Sequence, residues 1–415
     1  MAYKVKDINL ASQGEKKVKW ARDHMPVLAY LKEQYSFQKP LEHYKIGGAI
    51  HVTKETAVLV ETLQSLGADI AWAGCNPLST QDDIAAYLAT QDVQIYAWRN
   101  NHKEYYLCID EVIASQPHIT MDDGCDVVFR IHEKYPQVLE SIIGGTEETT
   151  TGVHRIKAMA KDNKLKYPII AVNDAETKWD FDNVYGTGQG TLDGIMRASH
   201  VLFASKKVVV AGYGHCGKGV TMRAKGLGAN VIVTEVDSIQ SLKAKMEGYE
   251  VMPMDEAAKV GDIFITATGC KDIITEKHFL NMKDGAILCN TGHFNTEVRV
   301  DQLDKLAKSK EEVRPDNIRY DLEDKSLYVL AEGRLVNLAA AEGHSPEVMD
   351  LSFANQILSV LRIVKNKNKF KPRVYAIPKS QDEKIASIKL KAMGVDIDTL
   401  TFEQKKYLNS YNEGT

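Results

Sequence analysis

Residues 207–219 read KVVVAGYGHCGKG, and the sequence after them reads VTMRAKGLGA. A short β-branched run, Val208–Val210, is the mark of a strand buried on both faces in a parallel sheet. Gly212, Gly214 and Gly217 follow it as G-x-G-x-x-G, directly ahead of a helical pattern. In that context the first glycine serves a tight turn. The second lets a pyrophosphate approach the backbone, and the third lets helix and strand pack closely. Glu235 closes the next apolar run about 20 residues on, as a ribose-binding carboxylate does. A carboxylate there accepts from both ribose hydroxyls and repels a 2′-phosphate, which favours NAD over NADP. Lys218 follows the glycines, but the G-K-[ST] of a nucleoside-triphosphate loop is missing.

Outward from this unit the alternation of short apolar runs and helical patterns continues. VIVTE (231–235), DIFITATG (262–269) and GAILCNTG (285–292) read as further strands of one parallel series. An earlier series covers 45–51, 68–73, 93–98, 119–121 and 167–172. Between its members lies the amphipathic stretch 54–66, with Ala57, Val58, Val60, Leu63 and Leu66 on one face. After VLAEGRLVNLAAAEGH a helix is expected from Glu347 to Val364. The fold class expected is α/β: two Rossmann-like, doubly wound parallel-sheet domains, the second inserted into the first.

The full chain has 415 residues, 52 Lys+Arg and 56 Asp+Glu, for a net charge of −4. That balance argues against a nucleic-acid binder. Neither an apolar run of membrane-spanning length nor a secretory leader is visible, so a cytoplasmic protein with no membrane partner is expected. The six cysteines lie far apart and the histidines lack H-E-x-x-H spacing. Reduced thiols and no metal are therefore expected.

Ionisable residues crowd the expected strand ends of the first series. His51 is followed by Thr53 and Glu55. Asp122–Asp123 and Glu147–Glu148 precede loops, the latter running into Thr149, Thr150 and Thr151. Asn173, Lys178, Asp182 and Asn183 lead towards the glycine-rich unit. Singly, each reads as a polar group facing solvent or a helix cap. Together at one crevice they read as acid–base machinery beside NAD, with the substrate open.

Longer phrases go further. CNPLSTQDD (75–83), EETTTG (147–152), VNDAETKWDFDNVYG (172–186), VVVAGYGHCGKG (208–219), TGHFNTE (291–297) and AEGRLVNLAAAEGH (331–344) strongly resemble the S-adenosylhomocysteine hydrolase family. The resemblance implies a discontinuous substrate domain (1–183 and 336–378), an inserted NAD domain (184–335) and a C-terminal oligomerisation arm (379–415). It also implies a homotetramer, a role in the methyl cycle, and reversible hydrolysis of S-adenosylhomocysteine through a 3′-keto intermediate. By resemblance, Lys178 takes the 3′-hydroxyl proton, held by Asp182, and its pKa is expected to be lowered by cations or desolvation. Asp123 and His51 handle protons at C4′ and at sulfur or water. Glu148 and Asn173 hold the ribose, and His293 acts where the domains close. Thr53, Glu55, Thr56 and His344 are implied as substrate contacts. Thr149, Thr150, Thr151, Asn183, Glu235, Gln240, Asn290 and Asn337 are implied as cofactor contacts.

The chain also departs from the family pattern. His215 and Cys216 sit in the glycine-rich loop, Gln240 replaces a common Asn, Thr187 a Cys, and Glu342 an apolar residue. The basic–aromatic ending of many relatives is missing. Glu55 favours adenine, because a carboxylate accepts from a 6-amino group and repels a 6-carbonyl. An S-inosylhomocysteine hydrolase, a catalytically silent NAD-binding regulator and a 2-hydroxyacid dehydrogenase are the competing readings.

Overall fold

The computed structural model describes residues 3–367 and 369–412. Two sheets organise them. The first holds β1 (Lys45–Ala49), β2 (Asp69–Ala73), β3 (Gln94–Tyr96), β4 (Ile119–Asp122), β5 (Gly144–Glu147) and β6 (Ile169–Ala171). The second holds β7 (Lys207–Ala211), β8 (Asn230–Thr234), β9 (Glu250–Val251), β10 (Ile263–Thr266), β11 (Ile287–Asn290), β12 (Ser309–Arg314), β13 (Asn317–Asp321) and β14 (Ser326–Leu330). The chain then returns to the first sheet through β15 (Val374–Tyr375).

The strand order is β15-β6-β5-β4-β1-β2-β3 in the first sheet and β12-β13-β14-β11-β10-β7-β8-β9 in the second. Every pairing is parallel except β12–β13 and β13–β14. This is the doubly wound arrangement expected. In such sheets ligands sit beyond the strand carboxyl ends, where strand order reverses. Here that is between β1 and β4 in one sheet and between β7 and β10 in the other.

β5 escaped the sequence reading, because GGTE carries no β-branched run. Its glycines serve packing. A Cβ at Gly144 would lie 2.8 Å from Ile363 Cγ2, and one at Gly145 2.2 Å from Thr120 Oγ1. Glycine lets the covering helix approach β5 at Gly144 and the Thr120 side chain of β4 approach it at Gly145.

The helices that position the site are α1 (Lys54–Ser65), α2 (Thr150–Lys161), α3 (Thr187–Ser199), α4 (His215–Gly226), α5 (Pro346–Lys365) and α6 (Lys379–Ala392). Trp179–Gly186 is a wide π-helical stretch, a form that recurs at functional sites. The first core joins Ile46, Trp72 and Met121 with Phe353 and Ile357 of α5. The second gathers Val208, Val210 and Ile265 with Leu192 and Ile195 of α3, and extends to Val336 and Ala339.

The tail from Lys379 read as an arm without a core pattern. The structure corrects part of this. In α6, Gln381, Asp382 and Ile385 are buried, and Ile385 joins the first core. Asp350 of α5 accepts from Val27 N, Leu28 N and Lys389 Nζ, which ties α6 down. Beyond α6, Met393, Ile397, Phe402, Leu408 and Tyr411 are exposed. Among the described residues no helix is long and apolar enough to cross a membrane.

Candidate active site

His51 follows β1 and Asp123 follows β4, so the switch point of the first sheet brings them together. His51 Nε2 lies 3.6 Å from Asp123 Oδ2. From the second sheet, the loop after β11 delivers His293, whose Nδ1 lies 3.6 Å from Asp123 Oδ1. Gly124 makes room for it: its φ is +105°, and a Cβ there would lie 2.3 Å from His293 Nε2. One ligand atom from each of these three buried residues falls within 4.8 Å of the others.

Ser79 Oγ lies 2.6 Å from His51 Nδ1, which leaves Nε2 facing Asp123. Burial, reinforced by the nearby His344, pushes His51 down to about 3. Burial raises Asp123, with His293 and Lys178 pulling the other way. The ring is therefore neutral at physiological pH, beside a carboxyl that holds its proton more readily than usual.

Across the cleft, Lys178 Nζ donates to Asn183 Oδ1 at 2.7 Å and lies 2.8 Å from Asp182 Oδ2 and 3.8 Å from Glu148 Oε1. Asn173 Oδ1 accepts from Asn183 Nδ2 and from Thr150 Oγ1, which fixes the amide orientations. The expectation of a lowered lysine pKa is corrected. Burial does oppose the ammonium, but Asp182, Glu148 and Asp123 more than offset it and hold the Lys178 pKa above its ordinary value. Asp182 is held well below the usual carboxylate range: burial opposes its charge, and Lys178 and His344 outweigh it. Glu148 is the poised group, since burial pushes it up to about 7 against the pull of Lys178.

His344 lines the cavity and also meets the charged cluster. Its Nδ1 meets Asp182, and its Nε2 lies 2.7 Å from Asn337 Nδ2. Both ring nitrogens are thus occupied, and the ring braces Asp182.

One cavity is lined by His51, Thr53, Thr56, Asp123, Glu148, Thr149, Thr150, Thr151, Lys178, Asp182, Asn183, Gly214, His293, Asn337 and His344. Glu55, Asn173, Gly212, Gly217, Glu235, Gln240 and Asn290 stand off its wall. Two of these make other bonds. Asn290 is fully buried and spent on loop closure: it donates to Gly292 O, Phe294 O and Gly333 O, and accepts from Gly292 N and Thr266 Oγ1. Gln240 takes only a capping bond, from its own N–H to Asp237 Oδ1.

The glycine-rich turn fits a dinucleotide. Gly212 has φ +95°, and a Cβ would lie 2.9 Å from Ala267 O. At Gly217 a Cβ would lie 1.9 Å from Gly212 O, whereas at Gly214 it would meet nothing within 4 Å. Strand and helix therefore touch at Gly217, and the backbone at Gly214 opens to the cavity. Glu235 accepts from Tyr213 N, Val236 N and Asp237 N, and its carboxylate retains lone-pair capacity for a ribose hydroxyl. Asn337 Oδ1 is buried without a partner, an open acceptor at the cavity wall.

Residues 183–343 match the NAD-binding domain of S-adenosyl-L-homocysteine hydrolase, and residues 2–135 match S-adenosyl-L-homocysteine hydrolase itself. An S-inosyl-L-homocysteine hydrolase of Methanocaldococcus jannaschii is 56% identical over 414 residues, covering 100% of both chains. The chain belongs to the S-adenosyl-L-homocysteine hydrolase family. Adenosylhomocysteinases of Saccharolobus solfataricus and Aquifex aeolicus are 54% and 52% identical, again over 100% of both chains. As a member of this family the chain is an enzyme, and NAD is its cofactor.

Several residues that hold this hydrolase site were missed by sequence reasoning. Ser352 Oγ donates to Glu148 Oε1 and Gln356 Nε2 to Glu148 Oε2. Both lie on α5 at i, i+4, and polar residues one turn apart inside an apolar helix were the available signal. Cys75 Sγ lies 3.7 Å from Asp123 Oδ2, and burial keeps it a thiol.

Proposed function

We propose that this enzyme hydrolyses S-adenosyl-L-homocysteine to adenosine and L-homocysteine, reversibly, with NAD recycled within each turnover. The observation that carries the reading is the pair of proton-handling clusters on one cavity: Lys178–Asp182–Glu148, and His51–Asp123–His293. A simple hydroxyacid dehydrogenase needs one such centre, whereas an oxidation combined with an elimination needs two.

Gly212, Gly214, Gly217 and Glu235 would hold the dinucleotide, with Thr149, Thr150, Thr151, Asn183 and Asn337 nearer its reactive end. When bound, NAD supplies the oxidation of the ribosyl 3′-hydroxyl to a ketone and its later reduction. Lys178 holds the proton at that oxygen. It is an ammonium at rest, so it accepts the hydroxyl proton only as it passes its own to Glu148, which is poised for neutral pH. Asp182, braced by His344, fixes the direction of Nζ. Asp123 takes the C4′ proton, acidic beside a 3′-ketone, as homocysteine leaves by elimination. His51 relays a proton between Asp123 and the departing sulfur or the incoming water. Burial of all these groups excludes bulk water during the interval.

A division into 1–183 with 336–378, and 184–335, would put a hinged cleft between the sheets, and the cavity lined by residues that follow strands of both sheets supports it. The exposed apolar residues beyond α6 fit an arm that packs on another subunit of a homotetramer. A place in the cytoplasmic methyl cycle follows from the proposed reaction.

A second reading has its own observation. Lys54 Nζ lies 3.1 Å from Glu55 Oε1, and both side chains are buried. An ammonium beside the base-recognising carboxylate could donate to a 6-carbonyl, which would suit S-inosyl-L-homocysteine. A thiol-release assay with the adenosyl and inosyl substrates side by side tests both readings.

A further inference from the structure

Lys178 is the residue on which the proposed chemistry turns, and its segment is held by a side chain 204 positions away. Asp382 of α6 is buried, at 8% exposure. Its Oδ2 accepts from Glu176 N at 3.1 Å, and its Oδ1 accepts from Thr177 N at 2.8 Å and from the Thr177 hydroxyl. These are the residues immediately ahead of Lys178. Thr177 Oγ1 in turn accepts from Asn355 Nδ2 at 2.8 Å. Gln381 Nε2 donates to Asn355 Oδ1 at 2.9 Å. Every donor in this chain has an acceptor, and the order Gln381 to Asn355 to Thr177 ends on the Asp382 carboxylate.

We propose that Asp382 is a positioning residue for Lys178: it fixes the backbone of Glu176 and Thr177, and so sets where Lys178 Nζ stands between Asp182 and Glu148. α5 carries Asn355 in this network and also Ser352 and Gln356, the donors to Glu148. One helix therefore registers both the lysine segment and the carboxylate 3.8 Å from its Nζ. Removing Asp382 leaves two backbone N–H groups and a hydroxyl buried without acceptors. The segment can recover partners only by turning, and turning moves the side chain of the next residue. Ile385 and Lys389 keep α6 docked meanwhile, so the disturbance stays local. The first turns of the expected arm thus belong to the catalytic framework of their own chain.

The inference rests on the proposed hydrolysis, and the experiment separates the two. Thiol release from S-adenosyl-L-homocysteine is measured for the full-length holoenzyme and for Asp382→Asn, Asp382→Glu, Thr177→Val and the Asn/Val double variant, each with a pH profile and a melting curve. An unsubstituted enzyme that releases no thiol overturns the hydrolase reading itself. With an active parent, kcat is expected to fall ~10-fold or more in Asp382→Asn and Thr177→Val, the scale of a misplaced catalytic group. KM is expected to stay within ~3-fold and the kcat–pH profile to move along the pH axis. Asp382→Glu is expected to recover part of the rate, and the double variant to be no slower than the slower single one. If kcat and its pH profile stay at parental values in both single variants, the inference is wrong, whatever happens to the melting temperature. Should Asp382→Asn fail to fold, Asp382→Glu decides it: its longer side chain displaces both backbone bonds, and a parental kcat and pH profile in that variant would overturn the inference.

Discussion

Lys178 Nζ lies 2.8 Å from Asp182 Oδ2 inside a cleft where neither side chain is more than 5% exposed. The pair is four residues apart, with Lys178 directly ahead of the π-helical stretch that carries Asp182, so the two groups are set by one local backbone. Asp182 is the strongest opposing charge on the lysine and the partner of His344. Asp182→Asn keeps the shape and removes the charge. Thiol release is expected to fall at least ~100-fold, the scale of a positioned acid–base group, with the fold retained by circular dichroism. Lys178→Ala is expected to lose at least as much.

The activity should depend on pH through Glu148. Its carboxyl stands at about 7, raised first by burial. The proposed role needs the ionised form, so kcat/KM is expected to rise with pH through about 7. Glu148→Gln cannot ionise, and its low residual rate is expected to be flat through that window. A pH-rate series on both proteins checks this.

Stability should depend on pH through His51. Its folded pKa of about 3 lies below the 6.5 of a free imidazole. Between those values the unfolded chain binds the extra proton. The stabilisation is therefore complete above pH 6.5 and is lost as pH falls towards 3. Asp182 acts in the same direction at lower pH, since its folded pKa is depressed below 3.8. In melting curves taken from pH 7 to 4, His51→Asn is expected to lose less stability than the parent.

Base preference should respond to Lys54. Burial raises Glu55, and Lys54 pulls it back towards the ionised, amino-accepting form. Glu342 accepts from Lys54 Nζ at 3.2 Å and from Arg197 at 3.2 Å, which fixes the lysine head. Lys54→Met is expected to lower kcat/KM for the adenosyl substrate more than for the inosyl one. Loss of inosyl turnover alone would instead favour the second reading.

The parts of this site that were legible in the sequence are those coded locally. The turn at Gly212–Gly217 and the carboxylate at Glu235 follow fixed spacings, and the polar residues after β1, β4 and β6 mark strand ends. Long-range partners leave no such pattern. Asp382 meets Thr177 across 205 residues and Gln356 meets Glu148 across 208, so only the fold reveals them. Local reading also misjudged the charge of Lys178. Burial alone lowers a lysine, and of the carboxylates that reverse the sign only Asp182 is local, while Glu148 arrives after β5 and Asp123 after β4. The bonding of Asn290 is likewise set by distant parts of the chain. It stands at the end of β11, but its amide is consumed by the loops that carry His293.

In the proposed reaction, oxidation and reduction cancel within one turnover. Purified holoenzyme is mixed with S-adenosyl-L-homocysteine while free thiol and absorbance at the NADH band are followed together. The expected result is many equivalents of homocysteine per active site, with no net NADH beyond the enzyme-bound fraction. Absence of thiol release, or NADH accumulating in step with turnover, would refute that cancellation.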